Sequence, residues 1–87
     1  MKIFKDLQFN PHMIGDGVQA RMDFDNGYGI SVVKFNGSYG FEDDLWEVGI
    51  LHKGSLTYST HITDDVLGAQ TEQDVTDVMK QVQQLSK

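Results

Sequence analysis

Residues 18–35 carry the pattern that most constrains how this chain can fold. Apolar and polar residues alternate through the first part of the segment, which is the period of a strand with one face in water. The apolar positions are Val18, Ala20, Met22 and Phe24. Residues 25–27 (Asp-Asn-Gly) tolerate the positive φ of a tight turn, and residues 28–35 are rich in β-branched and aromatic side chains. The segment predicts an antiparallel hairpin.

A second hairpin is predicted between residues 45 and 58. Trp46, Val48 and Ile50 alternate on one face of its first strand, so Trp46 is expected to pack in the core. Lys53 and Gly54 supply a short turn before apolar residues return. The opening segment, which includes Ile3, Phe4, Leu7 and Phe9, predicts a further strand at one edge.

The period changes near the C-terminus from that of a strand to that of a helix. Apolar residues fall at i, i+3, i+4, i+7 and i+10, which marks one stripe of an α-helix. They are Val75, Val78, Met79, Val82 and Leu85. Thr71 is the predicted N-cap, with Asp74 as its capping-box partner. Residues 63–68 predict one helical turn, begun by Thr63 and ended by Gly68.

These elements define a fold class. Strands that precede a single helix predict an α+β protein, an antiparallel β-meander of four to five strands with one C-terminal α-helix packed on one face. A length of 87 residues is sufficient for one domain, residues 1–87.

Composition and spacing argue against several kinds of chemistry. The chain has no cysteine, which removes disulfides, thiol catalysis and cysteine-containing zinc sites. Asp23 and Asp25 resemble the start of a calcium loop, but its twelfth position is Lys34, where an EF-hand needs glutamate. No serine or histidine pattern matches a catalytic motif. We therefore expect no catalytic residue, no metal and no cofactor.

Charge is the most unusual feature of the chain. The net charge is −6, and most of the acids lie between Asp23 and Asp77. The loop after the first hairpin combines aromatic residues, glycines and acids, as interface loops often do. Together with the acidic turn at 64–65 it is the predicted partner-binding surface. Its residues are Tyr39, Phe41, Glu42, Asp43, Asp44, Asp64 and Asp65. The alternatives are a loop folded back over the core and a merely solvated acidic face.

The same charge limits the partners. An acidic chain lacks the cations that displace counterions from nucleic acid, so no direct nucleic-acid binding is expected. The apolar runs are too short to span a membrane, and no secretory signal opens the chain, so a cytoplasmic location is expected.

An exposed edge of so small a sheet can pair with a second copy, which leaves a homodimer as an open alternative.

Four segments, read in order, resemble a group of small uncharacterised proteins encoded by bacteriophages and prophages. They are residues 26–33, 38–40, 45–51 and 62–68. The most specific stretch is Thr-Asp-Asp-Val-Leu-Gly at 63–68, followed by Thr71 and Glu72 at the start of the last helix. The resemblance covers residues 23–85. It implies no functional residue, because none is known for that group. It implies a protein made in the bacterial host cytoplasm.

The function expected from the resemblance and the charge is non-enzymatic. The chain would bind and occlude a host protein, such as a basic nucleic-acid-binding one. This binding would serve host takeover or would block a host defence such as restriction or CRISPR. Two alternatives stay open. One is a small-molecule binder or small enzyme with a ligand between sheet and helix, and the other is a phage structural or assembly component.

Overall fold

Over residues 1–12 and 16–86, which the computed structural model describes, the chain forms a six-stranded sheet and one α-helix. The strands are β1 (Asn10–Pro11), β2 (Val18–Asp23), β3 (Tyr28–Lys34), β4 (Trp46–His52), β5 (Ser55–Leu56) and β6 (Leu67–Gln70). The helix is α1 (Glu72–Gln83), and short 3-10 helices lie at Phe4–Asp6 and Phe41–Asp43.

Every strand pair in the sheet is antiparallel. The strands follow the order β1-β2-β3-β4-β5, and β6 also pairs with β4. Since Leu51 faces Leu56 and Trp46 faces Gln70, β5 and β6 share one side of β4 from opposite ends. The predicted α+β meander with a C-terminal helix is confirmed.

The two faces of the sheet have different contents because successive side chains of a strand point to opposite sides. On the helix face, the register aligns Ala20 with Val32 and Val48, and Met22 with Ile30 and Ile50. The opposite face, hereafter the open face, carries the alternate residues of β2, β3 and β4. These are Gln19, Arg21, Asp23, Gly29, Ser31, Val33, Glu47, Gly49 and Leu51.

The main core lies between the helix face and α1. The predicted stripe of α1 contributes Val75, Val78, Met79 and Val82, all of which are buried. Trp46 is partly buried against this core, as predicted, and its ring centroid lies 4.6 Å from that of Phe9. Burial of apolar surface in this layer provides most of the free energy that favours folding of the domain.

Both ends of α1 are held by side chains. The Thr71 hydroxyl accepts a hydrogen bond from the Asp74 amide (3.1 Å), and the Asp74 carboxylate accepts one from the Thr71 amide (3.0 Å), which confirms the capping box. At the other end, the Asn26 side chain donates to the carbonyls of Val82 (2.9 Å) and Leu85 (3.0 Å). The turn of the first hairpin is thereby tied to the helix C-terminus.

Two local predictions are wrong. Residues 63–68 do not form a helical turn, because Leu67 and Gly68 belong to β6 and Leu67 pairs with Val48. The opening segment is not a continuous strand, because Phe4–Asp6 forms a 3-10 helix whose first amide donates to the Thr76 hydroxyl. In both cases a contact with a distant element outweighs the local pattern.

Candidate functional site

The predicted interface loop, between β3 and β4, is closed by its own hydrogen bonds. Ser38 is buried, and its hydroxyl donates to the Phe35 carbonyl (2.8 Å) and accepts from the Phe35 amide (3.1 Å). Gly40 adopts a φ of 93°, and its carbonyl accepts a hydrogen bond from the Leu45 amide (2.9 Å). The loop is therefore a fixed structure built on a serine and a left-handed glycine.

Strand β6 supports this loop from one side. The Ala69 amide donates to the Tyr39 carbonyl (3.2 Å). A Cβ placed on Gly40 would lie 2.6 Å from the Ala69 Cα, and one placed on Gly68 would collide with Tyr39. The loop and β6 can approach this closely only because both positions are glycine.

The two loop aromatics stay outside the core. The exposed fractions of Tyr39 and Phe41 are 68% and 37%, and neither packs against the core cluster. The exposed ring of Tyr39 does not fit a loop folded back over the core, whereas Phe41 is covered over most of its surface. An ordered loop with exposed aromatic rings is the usual form of an interface anchor.

The acids of the loop are exposed, and one of them forms an ion pair. The Asp44 carboxylate lies 2.8 Å from the Lys34 ammonium group, which also lies 4.0 Å from the centre of the Trp46 ring. Lys34 therefore offsets part of the charge of Asp44, while Glu42 and Asp43 add exposed negative charge beside it.

The acidic turn lies just before β6. The Thr63 hydroxyl accepts from the Asp65 amide (3.2 Å), and the Asp65 carboxylate accepts from the Val66 amide (2.7 Å). Asp64 and Asp65 are both exposed. Since Tyr39 contacts β6 at Gly68 and Ala69, the structure brings the loop and the turn to the same edge of the sheet.

Sequence reasoning missed Glu47 as part of this surface. Its carboxylate accepts a hydrogen bond from the Tyr39 amide (3.0 Å) and so helps to hold the loop. The signal was present in β4, where the alternation that buries Trp46 and Val48 turns Glu47 to the opposite face.

Other potential sites lie elsewhere. The layer between sheet and helix holds the main apolar cluster. A cavity of about 600 Å³ opens instead beside the first hairpin turn, where its lining includes Asp6, Asp23, Asn26 and Gln83. Among the described residues, no three His, Asp or Glu side chains are grouped to hold a metal ion. Within the same ranges, no helix combines the length and apolar character needed to cross a membrane.

Comparison with known proteins finds no relative of this chain. No protein-family model, no curated protein and no solved structure matches the chain. The bacteriophage resemblance therefore stays a prediction.

Proposed function

We propose that this chain is a non-enzymatic binding protein that occludes a basic surface of another macromolecule. Its binding surface is the acidic aromatic surface, which comprises Tyr39, Phe41, Glu42, Asp43, Asp44, Asp64 and Asp65. The observation that carries the proposal is the placement of Tyr39. Its ring is exposed while its backbone amide and carbonyl are both hydrogen-bonded, to Glu47 and to β6.

A fixed aromatic residue is an efficient anchor for a partner. Binding costs free energy when loops and side chains must become ordered, and the hydrogen bonds of Tyr39 and Ser38 supply much of that order beforehand. The neighbouring acids add a second effect, because a negative surface steers a positive partner and raises the association rate.

The partner that we propose is a protein of a bacterial host, such as a basic nucleic-acid-binding one. The resemblance to bacteriophage proteins supports this choice, and the acidic surface supports the sign of the partner's charge. Occlusion of such a protein would serve host takeover or anti-defence, including anti-restriction or anti-CRISPR activity.

The proposal is tested with probe peptides of defined charge. One helical peptide contains lysine and leucine, and a second of the same length contains glutamate and leucine. We expect the lysine peptide to bind and the glutamate peptide not to bind, as measured by fluorescence anisotropy at low salt, where charge effects are largest. Absence of binding by the lysine peptide would contradict the proposal.

Two variants with the same change of net charge locate the site. The neutral-loop variant carries Glu42→Gln, Asp43→Asn and Asp44→Asn, in which asparagine tolerates the positive φ of Asp44. The remote-neutral variant carries Asp25→Asn, Glu72→Gln and Asp77→Asn, all at exposed positions. We expect about a tenfold loss of affinity in the first and less than about a twofold loss in the second. Equal losses would show that net charge alone attracts the peptide.

A further inference from the structure

Outside the acidic aromatic surface, one exposed apolar residue, Leu56, lies over the open face. The exposed fraction of Leu56 is 53%, and its cross-strand partner Leu51 belongs to the open face. A Cβ placed on Gly49 would lie 2.6 Å from Leu56 Cδ2 and 3.8 Å from Val66 Cγ1. Leu56 and Val66 therefore both lie over Gly49 on this face.

Tyr39 continues the same row. Leu67 packs against the main core, so its neighbour Gly68 faces the opposite way, and Gly68 is the position that Tyr39 covers. Glu47, which binds the Tyr39 amide, also belongs to the open face. Tyr39, Val66 and Leu56 thus form a row along the β4–β6 edge, hereafter the anchor strip.

The open face also has an apolar base of its own. Val33 and Leu51 are buried but lie outside the cluster that packs between sheet and helix. The anchor strip is therefore backed by apolar residues on its own side of the sheet. Tyr39 and Leu56 each lie over a glycine, which removes the side chain that would otherwise hold them away from the backbone.

Charge at the Tyr39 end of the anchor strip favours a basic occupant. Glu47 lies on the same face, and Asp64 and Asp65 immediately precede Val66. The basic residue Arg21 also belongs to the open face. Its backbone lies two strands from Gly49, but its side chain reaches the turn before Leu56, where its guanidinium group donates to the Gly54 carbonyl (2.7 Å). Lys53 is a second, exposed cation in that turn. The acids therefore border the end of the strip formed by Tyr39 and Val66, and the cations border its Leu56 end.

We infer that the anchor strip is the apolar part of the interface and that it binds a basic segment of another protein through that segment's large apolar side chains. The inference rests on the proposed function, since Tyr39 belongs to both surfaces. A second copy of this chain fits less well, because a twofold contact would set Glu47 and Asp65 against the acids of the copy.

The experiment compares two probe peptides of equal length and equal positive charge, one of lysine and leucine and one of lysine and serine. Binding is followed by the amide chemical shifts of the ¹⁵N-labelled protein. We expect the leucine peptide to bind about tenfold more tightly and to shift the amides of Tyr39, Gly49, Leu56 and Val66. The amides of Asp77 and Gln81, on the exposed side of α1, serve as the internal control.

Substitutions separate the contribution of the anchor strip to peptide affinity from the contribution of the charge. Leu56→Ser should lower the affinity for the leucine peptide about tenfold and leave that for the serine peptide unchanged, while Gln81→Ser alters neither. If Leu56→Ser lowers the melting temperature, Val66→Thr provides the same comparison at the next position of the strip.

Each outcome decides between the two proposals. Equal binding of both lysine peptides, with shifts confined to residues 41–44, would overturn the anchor strip and leave the proposed function standing. Failure of both peptides to bind would overturn both proposals. If the amide chemical shifts of the anchor-strip residues change with protein concentration when no peptide is present, the occupant is a second copy of the chain. This result would contradict the inference.

Discussion

The helix face and the open face of this sheet are built from the same strands and serve different purposes. On β4, Val48 and Ile50 are fully buried beneath α1, whereas Gly49 between them lies under the half-exposed Leu56. The helix face therefore supplies most of the free energy of folding, while Tyr39 and Leu56, which lie over the open face, stay exposed. Alternation along one strand thus places core residues on one face and a glycine that accommodates a partly exposed side chain on the other.

We predict the largest loss of stability for a substitution on the helix that covers the helix face. Val78→Asp places a charge in the core beside buried apolar residues, which should unfold the domain because the charge finds no partner there. Circular dichroism melting measures the result. Gln81→Asp, on the exposed side of α1, is the control and should cost about 1 kcal/mol or less. An unchanged melting temperature for Val78→Asp would show that α1 does not pack as described.

A smaller effect is expected where the loop meets β6. Gly40→Ala combines a φ of 93° with a Cβ 2.6 Å from the Ala69 Cα, and we expect a loss of about 2–4 kcal/mol. Gly27 is the matched control, because its φ is 87° but no atom lies within 4 Å of an added Cβ. Gly27→Ala should therefore cost only about 1–2 kcal/mol. Equal losses in urea denaturation would mean that the loop does not lie against β6.

The sequence predicted the elements whose evidence is local. Both hairpins and α1 have a clear period, and their partners either adjoin them or share a matching apolar face. Strand β6 has only four residues, and its pairing with Val48 joins distant parts of the chain. Thr63 and Gly68 meanwhile imitate the two ends of a helical turn, so local reasoning favoured the wrong element.

The candidate site was predictable to a similar extent. The combination of aromatics, glycines and acids in residues 39–44 pointed to the loop. The position of Tyr39 over Gly68 depends on how the loop packs against β6, and the spacing of residues in the sequence does not show that packing. Glu47 was missed as part of the surface although the alternation of β4 indicated its face, whereas Leu56 was missed because its position depends on strand register. The ion pair of Asp44 with Lys34 was missed for the same reason.

A still smaller effect is expected at the tie between the first hairpin and α1. Asn26→Ala removes the donor to the Val82 and Leu85 carbonyls, and we expect a loss of about 1–2 kcal/mol. Asn36→Ala, at an exposed loop position, is the matched control and should change stability by less than about 0.5 kcal/mol. Hydrogen exchange at the C-terminal turn of α1 should accelerate in the first variant only, and equal protection in both would remove Asn26 from this role.

The smallest change in stability is expected on the acidic surface, where exposed charges contribute about 0–1 kcal/mol each. The neutral-loop variant should therefore melt close to the wild-type temperature while it binds the lysine–leucine peptide more weakly. A large fall in its melting temperature would show that these acids serve folding, and would remove the distinction between the two faces.

The most direct test of charge-guided binding is the association rate with the lysine–leucine peptide, measured by stopped flow over a series of salt concentrations. For the wild type, the rate should fall steeply as salt increases, because screening removes the attraction. For the neutral-loop variant, the rate at low salt should be lower and its salt dependence flatter, while the remote-neutral variant should follow the wild type. Identical rates and salt dependence in the wild type and the neutral-loop variant would contradict the account and reduce the acids of the loop to a solvated surface.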